Sequence, residues 1–165
     1  MHKIVVIAHD IRSTHNVGSL LRTCEGLGAT HVYFTGYTPY PLKPKDERLP
    51  HIARKLDSQI HKTALDAEKM VPWTHLSDVN VCIEQLKADG YVIAALEQSS
   101  DSVPLPDYHP SDKIALLLGR EVEGIEAEVL RTCDVCLEIP MFGHKESFNV
   151  VQAAAMALYA LRFSE

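Results

Sequence analysis

The sequence predicts an α/β fold with a mostly parallel sheet and helices on both of its faces. Short apolar runs, too short to be helices of their own, alternate along the chain with longer amphipathic stretches of helical period. This alternation is typical of parallel sheets, because each parallel strand needs a crossover connection to the next. The chain has 165 residues, a length that suits one domain, which we expect to span residues 1–165.

The first half of the chain begins with a strand rich in Ile and Val at Lys3–Ala8. A polar loop leads to an amphipathic helix, Asn16–Leu27, which we expect Asn16 to cap and Gly28 to end. The elements predicted next are a strand at His31–Thr35, a loop from Gly36 to Pro50, helices at Ile52–Leu56 and Leu65–Val71, an edge strand at Trp73–Leu76, and a helix that Ser77 caps and that ends at Ala88.

The second half contains the most apolar strand of the chain, Lys113–Leu118, which ends at Gly119. The elements predicted around it are strands at Tyr91–Leu96 and Val135–Ile139, a loop at Glu97–Asp112, a short helix at Glu126–Thr132 and a long final helix at Ser147–Arg162. Ligands of open α/β sheets bind beyond the carboxyl ends of the strands. We therefore expect the chemistry in the loops at His9–His15, Glu97–Asp112, Gly119–Gly124 and Met141–Glu146.

The charge balance does not by itself favour a nucleic-acid partner, since the formal net charge is −6. One stretch, His51–Lys62, is nevertheless basic, and Lys43, Lys45 and Arg48 precede it. This stretch is either a solvated helix face or a local basic patch. No apolar run reaches the roughly 18 residues that a membrane span needs, and the N-terminal segment predicts a strand rather than a secretory leader. We expect a cytoplasmic protein without a membrane partner.

The four cysteines are scattered, and Cys133 and Cys136 form a lone C-x-x-C pair. The pair lacks the second half of a zinc site and does not open a helix after a strand, as a redox motif would. We expect reduced thiols that act as small apolar residues, and no metal site. A thiol oxidoreductase that uses this pair is an alternative.

Three groups of residues carry the candidate chemistry, because the fingerprints of dinucleotide, P-loop and hydrolase sites do not occur in the sequence. They are Asn16–Arg22 at the start of the first helix, Leu118–Gly124 after the buried strand, and Ile139–Gly143 followed by Ser147–Val150. Each group alone has a structural explanation. Asn and Ser cap helices, and Gly permits tight turns.

Together, the three groups resemble the motifs of the SpoU (TrmH) family of the SPOUT RNA methyltransferases. The matching patterns are N-x-x-x-x-x-R, then G-x-E-x-x-G after an apolar strand, then I-P-M-x-G followed by S-x-N-V. The resemblance covers Ile4 to Tyr159. The last motif of the family usually reads Ser-Leu-Asn-Val-Ser, so Phe148 and Val151 depart from it, whereas Ser147 and Asn149 are retained.

The resemblance implies a C-terminal trefoil knot whose loops hold S-adenosylmethionine, and a homodimer through the first and last helices. The final helix agrees with a dimer because it is apolar on nearly every side, although burial wholly within one chain would also explain that composition. The residues that the resemblance places at the cofactor are Leu96, Gly119, Ile139, Met141, Ser147 and Phe148.

The implied reaction is methyl transfer to a ribose 2′-hydroxyl of RNA, with tRNA favoured over rRNA. Because a guanidinium is a poor base, we expect Arg22 to hold a phosphate and stabilise the developing alkoxide, beside the cofactor of its own chain or of a partner. The supporting roles fall to Asn16, which would orient Arg22 or the ribose, to Glu121, which would fix the geometry, and to Ser147 and Asn149, which would place the ribose or the methionine end.

RNA recognition is expected on the surface of this chain, from aromatic and basic side chains. The expected RNA-binding residues are Tyr37, Lys43, Arg54, Lys55 and Lys62. Three alternatives to this function are a non-catalytic module of the same fold that binds S-adenosylmethionine or RNA, an rRNA methyltransferase, and an ordinary nucleotide-binding domain.

Overall fold

The computed structural model describes residues 1–164, in which one parallel sheet organises the chain. Its strands are β1 (Lys3–His9), β2 (His31–Thr35), β3 (Trp73–Leu76), β4 (Val92–Leu96), β5 (Val103–Pro104), β6 (Lys113–Leu118) and β7 (Val135–Glu138). They lie in the order β3-β2-β1-β6-β4-β7-β5, and every neighbouring pair is parallel. The predicted α/β fold with a parallel sheet is confirmed.

Helices cover both faces of this sheet. They are α1 (Thr14–Gly26), α2 (Pro50–Ala64), α3 (Ala67–Met70), α4 (Val79–Ala88), α5 (Ala127–Leu130) and α6 (Val150–Phe163), with a short 3-10 helix at Leu105–Asp107. Successive side chains of a strand point to opposite faces. Accordingly, Ile4 and Val6 of β1 join a core with α1, α2 and α6, whereas Val5 and Ile7 join a second core with α4 and α5.

Helix α2 extends well beyond the helix that the sequence predicts at Ile52–Leu56. It runs for 15 residues and begins with a proline in its first turn, where proline costs no hydrogen bond. Only Ala53, Ile60 and Ala64 of this helix are buried. Because polar and charged residues occupy most of its remaining positions, the apolar period shows only faintly in the sequence.

The helix caps also differ from the prediction. Ser13, not Asn16, caps α1, and its side chain accepts a hydrogen bond from the backbone N–H of Asn16. Asp78 rather than Ser77 caps α4, and Asn149 rather than Ser147 caps α6. Several residue types that cap well stand close together at each of these ends. The sequence therefore locates the ends of the helices but not the capping residue.

The long final helix α6 is only half covered by its own chain. Ala154, Ala157, Leu158 and Leu161 are buried, whereas Tyr159 is 60% and Phe163 64% exposed. The interpretation that α6 lies wholly within the core of one chain is therefore wrong. Among residues 1–164, no helix combines the length and the apolar character required to cross a bilayer.

The sheet order brings the candidate loops to one edge. Strands β1, β6, β4 and β7 are consecutive neighbours, so the loops that follow their carboxyl ends meet there. The second and third motifs lie in or beside these loops, and the first motif lies in α1, which follows the loop after β1.

Candidate active site

A cavity of about 430 Å³ opens where the loops after β4, β6 and β7 meet. Its volume lies within the range of small-molecule sites in proteins. The lining includes all six residues that the sequence predicts for the cofactor, namely Leu96, Gly119, Ile139, Met141, Ser147 and Phe148. Residues up to 52 positions apart in the sequence thus come together at one place.

Gly119 is required by the packing of its own loop. The backbone N–H groups of Arg120 and Gly124 donate to each other's carbonyl oxygens at 3.2 and 3.1 Å, which closes a tight turn. A Cβ added at Gly119 would lie 2.5 Å from Cγ1 of Ile125 and 2.8 Å from the carbonyl carbon of Gly124. Because Gly119 has no Cβ, Gly124 and Ile125 of the same loop can pack closely against it.

Glu97 is a cavity residue that the motifs did not indicate. Its Oε2 accepts a hydrogen bond from the backbone N–H of Ile125 at 3.1 Å, and its Oε1 accepts one from that of Gln98 at 2.9 Å. The carboxylate thereby ties the loop after β4 to the loop after β6. The signal in the sequence was its position, a charged residue directly after a buried strand.

Asn16, Glu121 and Asn149 form one hydrogen-bonded group beside the cavity. The side-chain amide of Asn16 donates to Oε1 of Glu121 at 3.3 Å, and the amide of Asn149 donates to Oδ1 of Asn16 at 3.4 Å. The backbone N–H groups of Ser13 and Arg12 donate to Glu121 at 3.2 and 3.3 Å. This network joins α1, the loop after β6 and the start of α6.

These donors also set the charge of Glu121. Partial burial raises the pKa of its carboxyl, but the hydrogen bonds from its own backbone, from Ser13, from Arg12 and from Asn16 together lower the pKa below its ordinary value. Glu121 is thus a carboxylate at neutral pH, and it can only accept hydrogen bonds. Such a group is suited to holding its neighbours in place.

Arg22 does not lie with the other predicted catalytic residues. It is exposed on α1 and does not line the 430 Å³ cavity. Instead it lines a separate depression of about 520 Å³ between α1, α2 and α6, together with Lys62, Thr63 and Val151. Val151, one of the two residues that depart from the family motif, therefore lies beside Arg22 and does not line the cavity that holds Ser147.

The predicted RNA-binding residues are spread over two regions. Arg54, Lys55 and Lys62 are exposed on α2, and Lys62 borders the depression that contains Arg22. Tyr37 lies elsewhere, in the loop after β2, and is 52% exposed. Lys43 is partly buried in the same loop, with its Nζ 5.6 Å from the ring centroid of Tyr40. These residues do not form one continuous patch.

The cysteines lack the properties of a reactive pair. Burial raises the pKa of the Cys133 thiol to about 11, and burial likewise raises the pKa of the Cys136 thiol. Because the thiolate is the reactive form, these environments suppress the chemistry that a thiol oxidoreductase needs. The structure therefore gives that alternative no support.

Two clusters that the motifs did not indicate combine a histidine with carboxylates. In one, Nε2 of the buried His9 lies 3.2 Å from Glu126, and in the other, Nδ1 of His61 lies 2.5 Å from Glu68. Hydrogen bonds within each cluster account for these contacts. The absence of a metal site stays a prediction.

A comparison with known protein families decides the classification. The SpoU rRNA Methylase family matches residues 3–159 of this chain. The chain belongs to this family. The resemblance identified from the three motifs is confirmed, and the match spans every strand of the sheet as well as the 430 Å³ cavity.

Individual relatives of this SpoU family chain differ from it in length. The tRNA (guanosine(18)-2'-O)-methyltransferase TARBP1 of Mus musculus is 32% identical over 159 residues, which are 95% of this chain and 9% of that protein. The tRNA (guanosine(18)-2'-O)-methyltransferase of Borreliella burgdorferi is 27% identical over 158 residues, which are 96% of this chain and 65% of that protein. The chain thus spans less than two thirds of these two relatives.

A solved structure shows the same fold. The AdoMet-bound rRNA methyltransferase from Sinorhizobium meliloti superposes with a TM-score of 0.81 and 20% sequence identity, covering 98% of this chain and 58% of that one. At this identity, the similarity establishes that the two share a fold.

Proposed function

We propose that this SpoU family chain is an S-adenosylmethionine-dependent methyltransferase that acts on the ribose 2′-hydroxyl of RNA. The observation that carries this proposal is the 430 Å³ cavity, which gathers all six residues expected at the cofactor. The network of Asn16, Glu121 and Asn149 adjoins it. The family match and the names of the relatives support the same activity.

The residues of the cavity fit this cofactor by size and by charge. S-adenosylmethionine supplies an activated methyl group on a positively charged sulfonium. Five lining residues are glutamates, and one, Arg120, is a cation. An acidic lining favours a cationic ligand and disfavours a polyphosphate. Leu96, Ile139 and Met141 provide apolar walls on which an adenine ring can pack. The same charge balance argues against the ordinary nucleotide-binding alternative.

The bound cofactor would supply its methyl group to the ribose 2′-oxygen, and its sulfonium would become a neutral thioether. The hydroxyl proton leaves for an acceptor, for which the adjacent RNA phosphate is our candidate. Arg22 is not that acceptor, because a guanidinium has N–H donors and no acceptor atom. Its guanidinium instead holds the phosphate and stabilises the negative charge that develops on the oxygen.

The position of Arg22 supports catalysis between two copies of the chain. Within one chain, it lines a depression separate from the cofactor cavity. We propose that Arg22 serves the cofactor cavity of a partner in a homodimer built on α1 and α6. The exposed aromatic side chains of Tyr159 and Phe163, whose ring centroids are 4.7 Å apart, support such a contact. A C-terminal trefoil knot around the cavity is part of the same proposal and is supported by the family match.

The other polar residues in or beside the cavity act as positioning groups. Glu121 holds the backbone of Arg12 and Ser13, and with it the start of α1, the helix that carries Arg22. Asn149 caps α6 through its Oδ1, which accepts from the backbone N–H of Val151 at 2.8 Å. Ser147 lines the cavity and can donate a hydrogen bond to the methionine end of the cofactor or to the ribose.

We propose tRNA as the substrate class in preference to rRNA. The two relatives quoted above are named tRNA methyltransferases, whereas the Sinorhizobium neighbour is named an rRNA methyltransferase. Lys62 beside Arg22, together with Lys55 and Arg54 on the same helix, provides cations for phosphates next to the reacting ribose. Tyr37 and Lys43 provide a second contact region.

The test is mass spectrometry of nucleosides from bulk tRNA and rRNA incubated with the protein and S-adenosylmethionine. We expect new 2′-O-methylated nucleosides in tRNA, and no new ones with Arg22→Ala, which should still bind the cofactor as the wild type does. Unchanged nucleosides in both RNAs would favour the non-catalytic module. An equal loss of cofactor binding in Arg22→Ala would show that Arg22 is structural.

A further inference from the structure

A second cavity, of about 370 Å³, lies beyond the carboxyl ends of β1, β2 and β3, and takes no part in the proposed cofactor site. Its walls include the side chains of Arg12, Tyr37, Tyr40, Arg48 and His75. Aromatic rings and guanidinium planes are the groups on which proteins stack unpaired bases.

One wall of this cavity is a fixed stack. The ring of Tyr40 lies between the guanidinium of Arg48, 3.7 Å from its centroid, and the ring of His75, at 4.1 Å between centroids. Burial lowers the pKa of His75, so this ring is neutral at physiological pH. Both faces of Tyr40 are therefore occupied, and the stack provides a preformed side of the cavity.

The guanidinium of Arg48 is held by the chain itself. It donates to the carbonyl oxygens of Tyr40 and Pro41, both at 2.9 Å, and to the carboxylate of Asp46 at 2.9 and 2.6 Å. The side chain of Asp46 is only 8% exposed. Asp46 thus neutralises the charge of Arg48, and the N–H donors of Arg48 are used within the chain. Other residues of the cavity must therefore contact a ligand.

The opposite wall is open to solvent. The backbone N–H of Tyr37 donates to Oδ1 of Asp10 at 2.9 Å, which fixes the chain, whereas the phenol ring is 52% exposed. The guanidinium carbon of Arg12 lies 6.0 Å from the centroid of that ring, and the Arg12 side chain is 73% exposed. Tyr37 therefore has a ring available for stacking and a cation beside it.

We propose that this cavity is a nucleobase-binding site, in which one base of the RNA stacks on Tyr37 and Arg12 contacts the same nucleotide. The inference rests on the proposed function only in taking RNA as the ligand. The backbone N–H of Arg12 donates to Oε2 of Glu121, which lines the cofactor cavity. The carboxylate of Glu121 thus connects the nucleobase site to the loop that would hold the methyl donor. RNA bound at this site would therefore have a fixed position relative to that donor.

The experiment measures the binding of bulk tRNA, as a function of KCl concentration, by the wild type and by Tyr37→Ala, Tyr37→Phe and Lys55→Ala. Tyr37→Ala should weaken binding roughly 5- to 150-fold, the range that follows from the loss of one base stack. It should leave the slope of log K against log salt unchanged, because no phosphate contact is lost. Tyr37→Phe keeps the ring and should bind as the wild type does.

Lys55→Ala is the matched control for an electrostatic contact, and it should reduce the magnitude of the salt slope by about 0.7–0.9. Wild-type affinity in Tyr37→Ala, at an unchanged melting temperature, would overturn the nucleobase site. A loss of slope in Tyr37→Ala like that of Lys55→Ala would overturn it too, since it would reveal a phosphate contact. If stacking holds but the wild type methylates no RNA, the nucleobase site stands and the proposed catalytic function fails.

Discussion

Replacing Gly119 by alanine is expected to disturb the loop that follows β6. The new Cβ would lie 2.5 Å from Cγ1 of Ile125, whereas carbon atoms pack at about 3.5–4.0 Å. Ile125 is 6% exposed and has little room to withdraw. The Cβ would also lie 2.9 Å from the backbone nitrogen of Ile125, which donates to Glu97. The variant therefore strains both the core and the contact between two walls of the cavity.

Overpacking of this kind costs about 1–3 kcal/mol, which for a chain of this size corresponds to a fall in melting temperature of about 2–12 °C. The assay is thermal unfolding with and without S-adenosylmethionine, since a ligand that binds the native state raises the melting temperature by an amount that grows with the logarithm of its concentration divided by Kd. Gly119→Ala should lose most of that rise. Gly26→Ala is the matched control, because a Cβ there meets no atom within 4 Å and Gly26 does not line the cavity.

Wild-type stability and a wild-type response to the cofactor in Gly119→Ala would refute the reasoning. Such a result would mean that the loop does not pack against Ile125 as described. An equal loss in Gly26→Ala would also count against it, because the effect would then not come from the contact with Ile125.

The other predictions concern charge, thiols and assembly. Glu121→Gln should lower the free energy of unfolding in denaturant by about 1 kcal/mol. Because the folded pKa of Glu121 is lowered, this difference should be present above the unfolded carboxyl pKa of about 4.3 and disappear as the pH falls through the folded value. A difference that persists in acid would contradict the assigned charge. Serine at both Cys133 and Cys136 should leave the rate of methyl transfer within about twofold of wild type. A loss of methyl transfer in this variant would support the thiol oxidoreductase alternative. Tyr159→Glu should convert a dimer into a monomer in analytical ultracentrifugation, because a charge enters an apolar contact. A monomeric wild type would contradict the interface.

Buried strands are the elements that the sequence predicts most closely. Strands β6 (Lys113–Leu118) and β2 (His31–Thr35) begin and end at the predicted residues. Both are apolar because both faces of the sheet are covered. The two-residue strand β5, which pairs only at the edge and contains a proline, lies in a segment predicted to be a loop. Its pairing depends on β7, and no local pattern encodes that contact.

Residue roles follow less directly from the sequence than residue positions do. The three motifs contain Asn16, Glu121 and Asn149, and the structure joins these residues by hydrogen bonds at one edge of the sheet. Asn16, however, was predicted to cap α1 and instead takes part in this network. Glu97 belongs to no motif, because its contact with Ile125 depends on the neighbouring positions of β4 and β6.

Arg22 marks the limit of prediction from a single chain. Its place in the first motif associates it with the residues of the other two motifs, yet it lines a different depression. An active site shared between two copies would explain this arrangement. Neither the spacing of residues nor the apolar composition of α6 specifies how such copies would be oriented.

Isothermal titration of the wild-type protein with S-adenosylmethionine, and in parallel with ATP, tests the central claim most directly. The acidic cavity between the loops after β4, β6 and β7 predicts saturable binding of S-adenosylmethionine at one site per chain. It predicts no binding of ATP, because ATP is a polyphosphate. Binding of ATP without any heat from S-adenosylmethionine or its demethylated product would contradict the account.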